Sequence, residues 1–150
     1  MIIGERAPDF TLSDHLGRDV TLSAVLHHGR VVLFFYPAAM SNRCSKESCH
    51  FRDLAAEFAA AGAQRLGISM DSLERQATFA RTRSLDYPLL SDVGGRVAAR
   101  YGVKRGLDVL RVKRTTFVID TDRTLLDVIS SELSMSVHAD RALATLAASR

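Results

Sequence analysis

The sequence contains little cysteine, with two residues among 150. Two cysteines cannot form the disulfide framework of small secreted proteins, which takes four or more cysteines in a short chain. A chain of this length buries about two-thirds of its unfolded surface, so it can fold without such a framework. We therefore expect a reducing, cytoplasmic location in which both cysteines are free for chemistry.

The sequence also lacks a long hydrophobic run. Its longest apolar stretch, residues 31–40, is about half as long as the roughly 20 residues that a membrane-spanning helix needs, and Pro37 interrupts it. Glu5 stands where a secretory signal would carry its basic segment, and no apolar core follows it. We expect a chain that begins as the mature protein and that has no membrane partner.

The chain has no large excess of one charge, because 20 lysines and arginines face 17 acidic residues. The densest basic segment, Arg96–Arg114, spreads seven positive charges over nineteen residues with leucine and valine between them. A solvated surface explains this pattern as well as nucleic-acid binding does. We expect no nucleic-acid partner, and a nucleic-acid-binding module remains a minor alternative.

The composition is 47% hydrophobic and 25% charged, which is typical of one soluble globular domain spanning residues 1–150. Apolar periodicity predicts alternating strands and helices. The predicted strands are residues 8–12 and 19–22, joined as a hairpin, then 31–36, 64–69, 87–90, 115–119 and 125–129, and the predicted helices are 41–61, 73–82, 96–101 and 137–148. This order predicts a three-layer α/β sandwich.

Cys44 lies at the start of the predicted helix that follows the buried strand 31–36. Unpaired backbone N–H groups and the helix dipole stabilise an anion at such a position, which lowers the pKa of a thiol. Arg43 adds positive charge. Although most buried cysteines are inert, the polar neighbours of Cys44 favour a nucleophilic thiolate.

Cys49 follows Cys44 by five residues. On an unbroken helix this spacing separates the two Cα atoms by roughly 8.7 Å, beyond the limit of about 7 Å for a disulfide. The pair can therefore form a bond only if the start of the helix unwinds. The spacing differs from the Cys-x-x-Cys of thioredoxin-type reductases, and two cysteines with His50 are too few for a structural zinc site. We expect no metal and no cofactor.

The segment 34–53 resembles the active-site segment of the peroxiredoxins. The pattern of that family is proline, three residues, threonine or serine, two residues and then the reactive cysteine. Pro37, Ser41 and Cys44 match this pattern. Further similarity to the peroxiredoxin Q branch, also called bacterioferritin comigratory proteins, comes from Glu47 and Cys49.

The resemblance extends over nearly the whole chain. Residues 7–12 are similar to the opening of the family, and residues 114–120 are similar to its late strand with the active-site arginine. One departure is Asn42, where many relatives have proline. The resemblance implies a thioredoxin-like fold of the peroxiredoxin type, with a central mixed sheet flanked by helices and an N-terminal β-hairpin.

The same resemblance implies a thiol-dependent peroxidase that acts on hydrogen peroxide and organic hydroperoxides. Cys44 would attack the peroxide and become a sulfenic acid. The hydroxyl of Ser41 would hydrogen-bond the peroxide and the thiolate. Arg114 would stabilise negative charge on the thiolate and in the transition state.

Three further roles follow from the resemblance. Pro37 would shield the thiolate from water, and Glu47 would hold an arginine or the loop in place. Cys49 would attack the sulfenic acid to close an intramolecular disulfide, which thioredoxin or a similar dithiol reductant would reopen. We expect a monomer or a weak homodimer. The alternative function is a thioredoxin-like disulfide carrier without peroxidase turnover.

Overall fold

The computed structural model describes residues 1–105 and 111–149. Its strands are β1 (Thr11–Ser13), β2 (Asp19–Thr21), β3 (Arg30–Phe35), β4 (Ala63–Ser69), β5 (Leu89–Ser91), β6 (Thr115–Ile119) and β7 (Leu125–Ser130). Its helices are α1 (Leu22–Val25), α2 (Asn42–Asp53), α3 (Ala55–Ala60), α4 (Leu73–Thr82), α5 (Arg96–Arg100) and α6 (Val137–Ala148), and a short 3-10 turn covers Leu26–His28.

Five strands form the central sheet in the order β5-β4-β3-β6-β7. Strand β4 runs parallel to β3 and β5, whereas β6 is antiparallel to β3 and β7. Strands β1 and β2 form the separate antiparallel hairpin near the N-terminus. The predicted α/β fold, with a mixed sheet, flanking helices and an N-terminal hairpin, is confirmed.

The central strand β3 is buried on both faces of the sheet. Leu33 and Phe35 pack into the cluster that includes α1 and α5, and Phe34 and Tyr36 pack into the cluster under α2, α4 and α6. On this second face, the ring of Phe34 stacks on that of Phe51 at 4.1 Å. The alternation of side chains along β3 and the residue that follows it therefore supplies both hydrophobic layers.

The single helix predicted over residues 41–61 is wrong, because the structure has two helices with a break at Leu54. From β4, Arg65 Nη1 donates a hydrogen bond to the Phe51 carbonyl at 3.0 Å. A side chain that engages a helix carbonyl in this way is a recognised cause of a break or bend. The bond comes from a strand that follows the helix, so local periodicity contains no sign of it.

The strands predicted over residues 8–12 and 87–90 begin later than expected. Proline has no N–H for a sheet ladder, and β5 starts only after Pro88. Near the hairpin, the Asp9 carboxylate accepts the backbone N–H of Phe10 and that of Ser23. These side-chain contacts replace ladder pairing, so β1 starts at Thr11.

The basic segment Arg96–Arg114 includes residues 106–110, which lie outside the described residues. Three of its arginines form ion pairs within the protein. The pairs are Arg105 with Glu132, Arg111 with Asp71 and Arg114 with Glu47. Much of the charge that distinguished this segment is therefore used in internal contacts.

The outer surface of α2 contacts α6 through His50. Its Nε2 lies 2.8 Å from Asp140 Oδ1. This contact joins two helices that lie far apart in sequence and that only the fold brings together. Among residues 1–105 and 111–149, no helix is both long enough and apolar enough to cross a membrane.

Candidate active site

Cys44 lies in the first turn of α2, directly after the loop that leaves β3. Ser41 caps this helix. Its Oγ accepts the backbone N–H of Cys44 at 3.4 Å and donates to the Ala38 carbonyl at 3.0 Å. Pro37, at the start of the loop, is buried. Capping by a serine oxygen satisfies a free N–H group and fixes the first turn, and here that turn carries the thiol.

Arg114 connects the thiol to a buried carboxylate. It lies immediately before β6, and its side chain is 4% exposed. Its Nη2 donates to Cys44 Sγ at 3.1 Å and its Nη1 to Glu47 Oε1 at 2.8 Å. Burial opposes the charge of the guanidinium, but Glu47 and Cys44 outweigh this effect and raise the pKa of Arg114 above its ordinary value.

Glu47 lies fully buried on α2, between the two cysteines. Burial raises the pKa of its carboxyl from 4.5 to about 8, although Arg114 opposes the rise. Its second oxygen, Oε2, has no hydrogen-bond partner among the described residues. The carboxyl is therefore held by one strong contact and can change its protonation state near neutral pH.

His138 faces this second oxygen from α6, with its Nε2 3.6 Å from Glu47 Oε2. The same Nε2 lies 2.9 Å from the Ser131 carbonyl, and Nδ1 lies 2.8 Å from Thr116 Oγ1. Because a carbonyl only accepts, Nε2 carries the proton and Nδ1 accepts from the threonine hydroxyl. Burial lowers the pKa of His138, which favours this neutral form.

The sequence prediction did not include His138. The signal that would have placed it on the buried side of the helix is its spacing, because Ala142 and Leu146 follow at intervals of four residues and all three are fully buried. Periodicity indicates only burial. The contact with Glu47 depends on the packing of α6 against α2, which periodicity does not specify.

Asp71, which follows β4, holds the loop before α2 in place through a hydrogen bond. Asp71 Oδ2 accepts the backbone N–H of Ala39 at 2.7 Å, and Oδ1 accepts Arg111 Nη2 at 2.9 Å. Burial disfavours the charge of this carboxylate, but the hydrogen bonds from Ala39, Ser69 and Arg111 outweigh it and lower its pKa. The neighbouring Ser72 caps α4, because its side chain accepts the backbone N–H of Arg75.

Cys49 is half-buried on the same uninterrupted helix as Cys44, and both thiols are free. It borders an open depression of about 420 Å³ that Asn42, Ser45, Lys46 and Arg83 also line. The fold thus gathers Ser41, Cys44, Glu47 and Arg114 into one set of contacts. It leaves Cys49 more than a turn further along the helix.

Side chains from other parts of the fold donate two hydrogen bonds to backbone carbonyls in the second half of α2. Tyr87 OH donates to the Ser48 carbonyl at 2.7 Å, and Arg65 holds the Phe51 carbonyl as described above. Tyr87 is itself buried and lies 4.9 Å under the guanidinium carbon of Arg65. The helix that carries both thiols is therefore tied to the sheet just beyond Cys44.

Within the described part of the chain, no three His, Cys, Asp or Glu side chains are grouped so that they could hold a metal ion.

Comparison with known proteins gives one consistent result. The AhpC/TSA family matches residues 3–128. The chain is 61% identical to peroxidoxin BcpB from Mycobacterium tuberculosis, whose crystal structure matches with a TM-score of 0.96 over 100% of this chain and 99% of that one. Chloroplastic peroxiredoxin Q of Sedum lineare is 38% identical over 144 residues, which cover 95% of this chain and 76% of that protein. A structure of Xanthomonas campestris peroxiredoxin Q is 29% identical, with a TM-score of 0.84, and the match covers 93% and 90% of the two chains.

Proposed function

The chain belongs to the AhpC/TSA family and is a peroxiredoxin of the peroxiredoxin Q type, and from this premise we propose that Cys44 is its peroxidatic residue and Cys49 its resolving residue. The family supplies the reaction, which is thiol-dependent reduction of a peroxide. The contacts of the described residues supply the roles proposed for individual side chains.

In the first step, the thiolate of Cys44 attacks the terminal oxygen of a peroxide. The O–O bond breaks, the sulfur becomes a sulfenic acid, and the leaving oxygen takes a proton to become water or an alcohol. Arg114 Nη2, 3.1 Å from the sulfur, supports this step because it stabilises negative charge on the sulfur and on the oxygens during transfer. Glu47 holds the other end of the same guanidinium.

Ser41 and Pro37 complete the proposed pocket. The Ser41 hydroxyl donates to the Ala38 carbonyl and accepts the N–H of Cys44. One lone pair of its oxygen is left to accept the O–H of a peroxide. Pro37 is buried beside the end of β3, where its ring excludes water and adds no N–H that would compete for the peroxide.

In the second step, the thiol of Cys49 attacks the sulfenic sulfur, a disulfide forms and water leaves. Residues on a continuous helix at this spacing are too far apart for a disulfide, so the first turns of α2 must unwind. A thioredoxin-type dithiol then reduces the disulfide and is itself oxidised. The partial exposure of Cys49 beside the open depression supports this final exchange.

The contact between Arg114 Nη2 and Cys44 Sγ is the observation that carries the proposal. We test it by following peroxide consumption with a thioredoxin and thioredoxin reductase system, for the wild type, Cys44→Ser and Cys49→Ser. We expect Cys44→Ser to be inactive and Cys49→Ser to lose turnover with this reductant while still reacting once with peroxide. Equal activity in the wild type and Cys44→Ser would refute the proposal. Insulin reduction without peroxide turnover would instead indicate a disulfide carrier.

A further inference from the structure

The buried histidine of α6 has contacts that the peroxidase roles above do not use. His138 is fully buried, and its ring is fixed by hydrogen bonds to Thr116 on β6 and to the Ser131 carbonyl after β7. These two bonds determine which nitrogen carries the proton. The proton of Nε2 is donated to the Ser131 carbonyl, and the same nitrogen lies 3.6 Å from the second oxygen of Glu47, which has no hydrogen-bond partner among the described residues.

We propose that His138 is a positioning residue for peroxide reduction: from α6, it holds Glu47 so that Glu47 in turn holds Arg114 against the sulfur of Cys44. The inference rests on the proposed function, since it assigns a supporting role within the same reaction. His138 contacts neither the peroxide nor the sulfur in this account.

The distances form a continuous series from the helix to the sulfur. They are 3.6 Å from His138 Nε2 to Glu47 Oε2, 2.8 Å from Glu47 Oε1 to Arg114 Nη1, and 3.1 Å from Arg114 Nη2 to Cys44 Sγ. Side chains in this series are almost completely enclosed. In such surroundings the dipole of an N–H group acts on a carboxylate with little screening by water.

Three charged groups surround the histidine, one from each element packed against it. They are Glu47 of α2, Arg114 before β6 and Glu132 after β7. Arg114 opposes a positive charge on the ring and Glu132 favours it, while burial disfavours it. A neutral ring, whose N–H dipole ends 3.6 Å from Glu47 Oε2 while its proton is donated to the Ser131 carbonyl, is consistent with these influences. Without it, Glu47 would ionise less readily and hold Arg114 less firmly at neutral pH.

The test compares His138→Leu, which removes the dipole of the ring N–H, with His138→Gln, which keeps a polar N–H group on the side chain. Leu146→Ala is the matched control, because Leu146 is fully buried on the same helix and has no part in the series. For each variant, the rate of one reaction with hydrogen peroxide is measured by rapid mixing, over a range of peroxide concentrations and pH values. Circular dichroism checks that each variant is folded.

We expect His138→Leu to lower the second-order rate constant about tenfold near neutral pH and to move the rising part of the pH profile to higher pH. His138→Gln should restore most of the rate, and Leu146→Ala should keep the wild-type pH profile. A wild-type profile in His138→Leu, or the same shift in Leu146→Ala, would overturn the role.

If His138→Leu fails to fold, Thr116→Val gives the decisive result. It removes the donor to Nδ1 and leaves the ring in place, so we expect a smaller shift in the same direction, and an unchanged profile would overturn the role. Absence of a peroxide reaction in the wild type would instead refute the proposed function, so the two failures are distinguishable.

Discussion

A single arginine side chain carries the electrostatics of the site. The planar guanidinium of Arg114 directs one nitrogen at the sulfur of Cys44 and another at the carboxylate of Glu47. A fork of this kind gives direction as well as charge. Because Glu47 holds one end of the guanidinium, the other end stays directed at the sulfur, where the proposed peroxide cleavage would redistribute charge.

Replacement of the Arg114 guanidinium by the single ammonium group of lysine tests how much the two-nitrogen contact contributes to the rate of peroxide reduction. Lysine has one ammonium group and cannot make both contacts of Arg114 with the same geometry. We expect Arg114→Lys to lower the second-order rate constant with peroxide about 100-fold, the loss typical of removing one donor to a developing charge. The measurement is rapid-mixing kinetics. Arg100→Lys, at an exposed arginine that bonds the Asp9 carbonyl, is the control, and equal losses in the two variants would contradict the role of the fork.

The buried carboxyl of Glu47 predicts a pH-dependent stability. Its pKa is about 8 in the folded protein, against an ordinary value of 4.5, so the folded state holds a proton that the unfolded state releases between these values. The free energy of unfolding therefore falls as pH rises from about 5 to about 8, relative to Glu47→Gln, which cannot titrate. Urea denaturation across this range measures the difference, which we expect to be on the order of a few kcal/mol.

Glu57→Gln is the control for that measurement, because Glu57 is exposed on α3. Its stability should follow that of the wild type at every pH. The prediction fails if the difference in the free energy of unfolding between the wild type and Glu47→Gln stays constant with pH. It also fails if the wild type becomes relatively more stable as pH rises. Either result would show that burial does not raise the pKa of Glu47.

At this scale, the sequence identified the residues that lie within a local motif. The spacing of Pro37, Ser41 and Cys44 depends on one loop and one helix start, so it can be seen in the sequence. The partners of Glu47 come from two distant segments, and their approach depends on how α6 and β6 pack against α2. A histidine such as His138 is indistinguishable from an ordinary core residue until that packing is known.

At the scale of elements, α2 has two tasks that oppose each other. As an intact helix it presents Cys44 to Arg114, and as an unwound segment it would bring Cys44 to Cys49. Unwinding removes Glu47 from Arg114 as well, because Glu47 lies between the two cysteines. The hydrogen bond from Tyr87 to the Ser48 carbonyl holds the helix against this change.

The strength of that bond predicts the rate of disulfide closure. We expect Tyr87→Phe to speed closure about fivefold, because a buried hydrogen bond contributes about 1 kcal/mol, while the rate of sulfenic acid formation stays the same. Acid-quenched mass spectrometry after a single addition of peroxide separates the two steps. Tyr101→Phe is the matched control, since its hydroxyl donates to the Pro8 carbonyl at 2.7 Å in the other core. Faster closure in both variants, or in neither, would contradict a specific role for Tyr87.

The elements that sequence predicted well are those with strong local signals. The helices over Leu73–Thr82 and Val137–Ala148 and the strand Thr115–Ile119 have the predicted bounds. Two of the errors involve another segment. The bond from Arg65 to Phe51 and the bond from Ser23 to Asp9 each join residues 14 positions apart, so periodicity could not reveal them. The late start of β5 instead follows from Pro88 itself.

In the whole molecule, a hydrophobic cluster covers each face of the sheet, and both cysteines are free thiols, so no disulfide joins the two clusters. One cluster gathers residues of α1, α5 and the hairpin, and the other gathers residues of α2, α3, α4 and α6. These layers give the reduced protein its stability. Local opening of α2 therefore leaves most of the core in place.

This arrangement predicts that oxidation destabilises the protein. A disulfide closing so short a loop stabilises the chain by about 2 kcal/mol, whereas opening α2 gives up the Ser41 cap, both bonds from Arg114 and the bond from Tyr87, each of which contributes about 1 kcal/mol. We expect the form with a disulfide between Cys44 and Cys49 to melt roughly 5 °C below the reduced form. Calorimetry with and without reductant measures the shift, and the variant with serine at both positions should show none. A higher melting temperature on oxidation would contradict the opening of α2.

Mass spectrometry after one equivalent of hydrogen peroxide tests the roles proposed for the two cysteines, because it identifies the oxidised residue. We expect an intramolecular disulfide between Cys44 and Cys49 in the wild type, a trapped sulfenic acid on Cys44 in Cys49→Ser, and no rapid oxidation in Cys44→Ser. Rapid oxidation of Cys49 in Cys44→Ser, at the wild-type rate, would contradict these roles.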